Sequence, residues 1–145
     1  MTPTRFLLVI SVSALIVGCH SAKDIYRVAR LTFAVTGHFG GDGVQAAITK
    51  DSTSEQIYVS MAIRDDYRSA MDSSARLAFT DSVAMFIVHW FGKQRLIGVR
   101  LALTGSNSSR GSPQRASTAF LAVFVPEYQP DGSVRVHRLD ISRAL

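Results

Sequence analysis

Residue types that do chemistry are few and scattered in this chain. Its four histidines are His20, His38, His89 and His137. A zinc site of the usual kind needs two such ligands at i,i+3 or i,i+4, and no pair is spaced that way. The single cysteine, Cys19, allows neither a CxxC pair nor an internal disulfide. There is no HExxH, no P-loop and no GxSxG elbow. Asp65 and Asp66 adjoin, so on a strand they would point apart, whereas an acid/base pair needs two carboxyls facing one bond. They read as charges leading a helix. His38 stands in the glycine-rich stretch Gly37-His38-Phe39-Gly40-Gly41-Asp42-Gly43, which offers either a backbone nest for an anion or a turn between two strands. Its spacing does not fit the dinucleotide fingerprint, and no helix follows. His89 reads as a packing residue or a partner of a helix C-terminus, and His137 as a strand surface residue. The expectation is no catalytic residue, no metal and no cofactor bound by the folded domain. The residues left as candidate ligand or partner contacts are His38, Phe86, Trp90, Arg110 and Arg115.

Charge supplies a second lead. Sixteen basic against eleven acidic residues leave a net +5. Arg27, Arg30, Arg95, Arg100, Arg135, Arg138 and Arg143 mostly fall at the solvent positions of expected strands. They form either a solvated surface or a positive sheet face suited to anionic lipid headgroups or an acidic saccharide.

These residues must be held by a scaffold, and its elements follow from periodicity. Ordinary globular composition in 145 residues, with 47% hydrophobic and 19% charged, predicts one domain and excludes collagen, a disordered charged tail and a disulfide-stapled miniprotein. Val28 to Thr36 alternates, with Leu31, Phe33 and Val35 on one side, and reads as a half-buried strand. Val44 to Thr49 is a weaker strand. Gln56 to Ile63 is a stronger one, with Ile57, Val59, Met61 and Ile63 inward. Ser73 to Phe91 lacks glycine and proline and carries Phe79, Val83, Phe86, Ile87 and Trp90 at helical spacing. Asp72 is its expected N-cap and i,i+4 partner of Arg76, and Gly92 its stop. Leu96 to Leu103 is a further strand. Thr118 to Val125 is nearly all apolar, as expected for a strand buried on both faces. Val134 to Ile141 closes the series after the turn at Pro130-Asp131-Gly132. The order βββαβββ predicts an α+β fold, a mostly antiparallel sheet of about six strands on one long central helix. Thr104 to Ala116 is a long polar loop holding Arg110, Gly111 and Pro113.

The N-terminus is an address. Arg5 precedes an apolar run from Phe6 to Val17, shorter than the roughly 20 residues that span a bilayer. Leu15-Ile16-Val17-Gly18-Cys19 resembles the lipobox of bacterial lipoproteins: Ile16 stands three before the cysteine and small Gly18 directly before it. The resemblance implies a signal peptide over residues 1–18, cleavage between Gly18 and Cys19, and lipidation at Cys19. Diacylglycerol would sit on the thiol and an acyl chain such as palmitate on the new amine. Cys19 as a buried small hydrophobe, or within an uncleaved anchor, remains the other reading. Residues 19–26 would be the lipidated N-terminus and tether, and 27–145 the single domain. The implied address is the bacterial cell envelope, facing the periplasm. His20, where aspartate is associated with inner-membrane retention, favours the outer membrane.

The function expected from these features is a non-catalytic accessory or protein-interaction domain. Its partners are the membrane, through the anchor, and another envelope protein. Helix residues Met85 and Val88, or an open sheet edge, would meet that protein, and an envelope address speaks against nucleic acid. The alternative is a periplasmic binding domain for a lipid or saccharide, its pocket lying between helix and sheet and lined by Phe79, Phe86, Trp90 and Phe120. A hydrolase would need His38 or His137 beside a serine or carboxylate.

Overall fold

The computed structural model describes residues 22–51, 53, 56–92, 94, 96–105 and 120–140. Gly18, Cys19, His20, Arg95, Arg110, Arg115 and Arg143 lie outside the described residues, as does nearly all of the 104–116 loop. The elements run α1 (Ala22–Phe39), β1 (Gly43–Lys50), β2 (Ile57–Arg64), a single-turn α2 (Asp66–Ser69), α3 (Ser73–Phe91), β3 (Leu96–Thr104), β4 (Phe120–Tyr128) and β5 (Val134–Leu139). The fold is α+β, with five strands in the order β1-β2-β3-β4-β5. Three of the four pairings are antiparallel, and β2 runs parallel to β3. That exception has a simple cause. The connection from β2 to β3 carries two helices, and such a crossover can return the chain in the same direction, whereas a hairpin cannot.

The expected first strand is instead a helix, so two long helices back the sheet rather than one. Leu31 and Val35, at i,i+4, are fully buried, while Phe33 between them is 80% exposed. Val28 and Phe39 pack against the same core, completing a stripe at helical spacing. Asp24 stands in the first turn, at the end of the helix dipole that suits a carboxylate, and His38 in the last. Five β-branched residues, Ile25, Val28, Thr32, Val35 and Thr36, lower helix propensity by a few tenths of a kcal/mol each. Burial of the Leu31–Val35 stripe outweighs them, and the Thr32 hydroxyl is satisfied within the helix by donating to the Val28 carbonyl at 2.9 Å. The helix takes in residues 22–26, assigned above to the tether. The glycine cluster is its C-terminal stop, joining helix to strand rather than strand to strand. The Gly40 N–H bonds the Thr36 carbonyl at 2.9 Å with φ +75°, a left-handed cap that favours glycine.

The helix α3 has the bounds its pattern predicts. Asp72 caps it, its carboxylate accepting from the Ala75 N–H at 2.8 Å, and Gly92 ends it at φ +58°. Val83, Ala84, Ile87, Val88 and Phe91 are buried. The expected Asp72–Arg76 ion pair is absent from the described contacts. The Arg76 guanidinium lies over the Phe120 ring at 5.1 Å, trading an exposed ion pair of small worth for a partly desolvated cation–π contact.

Both helices cover the same face of the sheet, and the core lies between the layers. Val59, Met61, Ile63, Val99, Leu101, Leu103, Ala122 and Phe124 project into it from the three inner strands. At the foot of β3 the Tyr128 hydroxyl accepts from the Leu96 N–H at 2.7 Å and donates to its carbonyl at 3.2 Å, holding β4 against a strand end whose ladder begins only at Val99. The strand β4 is not buried on both faces as expected: Leu121 and Val125 are exposed on the side away from the helices.

Candidate functional site

Among the described residues, no helix covers the second side of the sheet. Strand alternation sends every second residue there. Register then aligns Gln45 with Ala62, Ala47 with Ser60, Ser60 with Arg100, and Ala62 with Ala102. These small side chains floor a shallow trough of about 360 Å³ crossing β1, β2 and β3, with Gln45 and Arg100 at its sides. Tyr58 lies over Gly98, where a Cβ would come within 3.2 Å of the ring, so the glycine admits the aromatic. Beyond Ala102 the surface becomes aliphatic: Leu121 pairs with Ala102, Val123 with Leu139, and Val125 with His137. Leu121, Val125, Leu139 and Tyr58 are all exposed. An apolar field of this breadth on one sheet face is the kind of surface that marks an interaction site.

Its charged members are mostly arginines. Arg64, Arg100 and Arg135 sit on this face. The carboxylate of Glu127 is bonded to the His137 imidazole at 2.6 Å. That bond first, and one from Gln129 next, hold the Glu127 carboxyl below its ordinary 4.5. A depressed carboxyl contributes stability that is complete above its ordinary value and is lost as pH falls through the lowered one. His137→Ala is therefore expected to move the Glu127 midpoint back up toward 4.5, read from side-chain carboxyl shifts by NMR. An unmoved midpoint would show the pair unformed in solution.

The arginines otherwise divide differently from expectation. Arg27 and Arg30 belong to α1, not to a strand, and Arg138 faces the helices, bonded to Asp81 at 3.1 Å. There is no single arginine face, because strand alternation sends Arg135 and Arg138, three apart, to opposite sides.

The other anticipated residues are placed as follows. His38 is in the last turn of α1, not in a loop, and stacks on Phe86 at 4.9 Å between centroids. Phe39 meets Phe79 and Phe86 edge to face at 5.7 and 5.4 Å. Phe86 is thus packed ring on ring, while Trp90 meets Phe91 at 5.1 Å. Phe120, the first residue of β4, sits under Arg76 instead. Phe79 and Phe86 thus share one ring cluster with Phe39, while Trp90 and Phe120 make separate contacts. Val88, expected on an outward helix side, is buried and cannot meet a partner. The clefts beside α3 lie elsewhere. One of about 600 Å³ is lined by Val88, His89, Gly92, Tyr128, Ser133 and Val134. His89 itself bonds the Met85 carbonyl at 2.8 Å through Nδ1.

Asp65 and Asp66 lead a helix, as their sequence suggests. Asp65 is buried, caps α2 by accepting from the Arg68 N–H at 2.9 Å, and pairs with the Arg68 guanidinium at 2.6 Å. The same guanidinium lies over Phe79 at 4.4 Å. His137 does stand beside a carboxylate, though the pair is exposed and includes no serine. Among the described residues no three His, Cys, Asp or Glu gather in a way that holds a metal ion. No described helix is long and apolar enough to cross a membrane. The alanine trough was invisible from sequence, since alanine carries little pattern and the strand order that aligns Ala47, Ala62 and Ala102 is a long-range fact. Comparison of the chain with protein-family models, curated proteins and solved structures finds no match.

Proposed function

We propose that this protein is a lipid-anchored component of the bacterial cell envelope, acting without catalysis as an interaction domain. The helix-free sheet face is the surface that docks another envelope protein. The observation that carries this reading is that face: an alanine-floored trough continuous with exposed Leu121, Val125 and Leu139. Water against such a field is costly, at about 25 cal/mol per Å² of apolar surface left uncovered. Arg64, Arg100 and Arg135 around it select a partner whose apolar contact surface is bordered by carboxylates. The lipobox-like segment ending at Cys19 supports the address, and a fixed anchor raises the local concentration of the domain against membrane neighbours. Outer rather than inner membrane follows from His20 as the residue after the acylated cysteine.

A photocrosslinking residue at Ser60, on the bare face, tests this against one at Ser82, exposed on α3. The Ser60 probe is expected to give an adduct with one envelope protein. Ala102→Arg, which fills the trough, should abolish that adduct at an unchanged unfolding midpoint. Adducts from Ser82 alone would place the partner on the helices and reject the sheet face. A Ser60 adduct only to a second copy would make the face a homodimer interface.

A further inference from the structure

We infer that the solvent face of α1 is a second membrane contact: it lies flat on a bilayer of anionic lipid, beside the acylated cysteine. Leu31 and Val35 fix which side of α1 meets the core. At about 100° per residue, Lys23, Tyr26, Arg30, Phe33 and Gly37 fall in one sector of about 80° on the opposite side. Tyr26 is 65% exposed and Phe33 80%, unusual values for aromatics within a helix that has a core available to it. Arg30 stands over the Tyr26 ring at 5.8 Å, and Arg27 borders the sector. The lone acidic residue of α1, Asp24, points about 160° away from Tyr26. Exposed aromatics interleaved with cations, and no carboxylate among them, match the boundary between headgroups and acyl chains: the rings enter the apolar side and the cations meet phosphate.

The tether points to the same occupant. Only three residue steps separate Cys19 from Ala22, at most about 10 Å of chain. An anchored Cys19 therefore holds the first turn of α1 within about one helix diameter of the headgroups. This inference rests on the anchored reading for that proximity. The bare sheet face is then turned away from the bilayer, free for a protein.

The test uses the full acylated chain reconstituted into vesicles. Acylation consumes the Cys19 thiol, so a cysteine introduced at Ala29, exposed beside Tyr26, Arg30 and Phe33, can be labelled alone; Ser60→Cys on the sheet is the control. With phosphatidylglycerol present, a fluorophore at 29 is expected to be quenched by lipid-borne quencher and one at 60 to stay aqueous. Removing one cation, Arg30→Gln, should lower the ratio of α1-seated to unseated anchored domains, read from quenching at 29, roughly fivefold. Phe33→Ser should lower it about tenfold. Acylated protein whose probes at 29 and 60 are equally aqueous overturns the inference, as does equal quenching in pure phosphatidylcholine. Intact mass without acyl chains would instead reject the anchor. Then the same probes, in Cys19→Ser protein added to vesicles, still decide: quenching at 29 supports the α1 contact, and its absence overturns it.

Discussion

Leu31→Ala is expected to destabilise the domain by roughly 2–5 kcal/mol, and Phe33→Ala to change its stability by no more than about 0.5 kcal/mol. The contrast follows from two residues of similar apolar character standing two apart. Leu31 is fully enclosed between α1, α3 and the sheet, so its truncation leaves a cavity as well as losing transfer free energy. Phe33 touches mainly water. On a strand both would face the core and both would be costly, so the pair of substitutions discriminates helix from strand directly. Denaturant unfolding without vesicles, with the midpoint compared at constant slope, is the measurement. Against a typical domain stability of about 5–15 kcal/mol, the Leu31 variant loses a large share, and equal losses at both positions would reject the helix.

Leu31, Phe33 and Val35 show where sequence pattern runs out. Leu31 and Val35 satisfy both a two-residue and a near-four-residue period, so Phe33 alone decides, and its apolar character argues for the wrong one. A core stripe and an exposed aromatic stripe on one helix, superposed in sequence, look like alternation. Elements with a single buried side and strong punctuation were legible: α3 from Asp72 to Gly92, and the β4–β5 turn at Pro130-Asp131-Gly132. That turn is closed by Ser133, whose N–H and hydroxyl both donate to the Asp131 carboxylate at 2.9 and 2.6 Å. The apolar run in β4 misleads for a different reason. Pattern reports that Leu121 and Val125 are apolar, but not whether a second layer covers them. The site has this same origin: a bare sheet face looks like a buried one until the missing layer is known. The His137–Glu127 pair is ten residues apart, and becomes visible only once the turn sets the register that aligns Val125 with His137.

Two layers with different outer surfaces give the fold a direction. The α1 side offers aromatics and cations without a carboxylate, and the sheet side offers small and aliphatic residues with arginines around them. In the anchored arrangement proposed above, a domain bound by its α1 side keeps its sheet side presented outward. Orientation, more than affinity, is what the short spacing from Cys19 to Ala22 contributes, since a long tether would let the domain tumble and present both faces equally.

Cys19→Ser is expected to abolish acylation altogether, and with it the lipid anchor. Serine keeps the size of the side chain, but its hydroxyl does not form the thioether that would join diacylglycerol to the cysteine sulfur. One acyl chain binds a bilayer with an association constant on the order of 10⁴ M⁻¹, which is marginal, and further chains make the attachment stable at about 0.8 kcal/mol per buried methylene. Losing all of them removes a term far larger than the contact α1 supplies alone. The wild type should therefore have an intact mass beginning at Cys19 with diacylglycerol and an acyl chain added, and should resist extraction from membranes by salt. The serine variant should carry no acyl mass and should not be cut between Gly18 and residue 19. Both chains being cut at one common site, unacylated and soluble, would reject the anchor. The domain would then be a free envelope protein that meets its partner by diffusion, and its sheet face would need to supply the whole of the affinity.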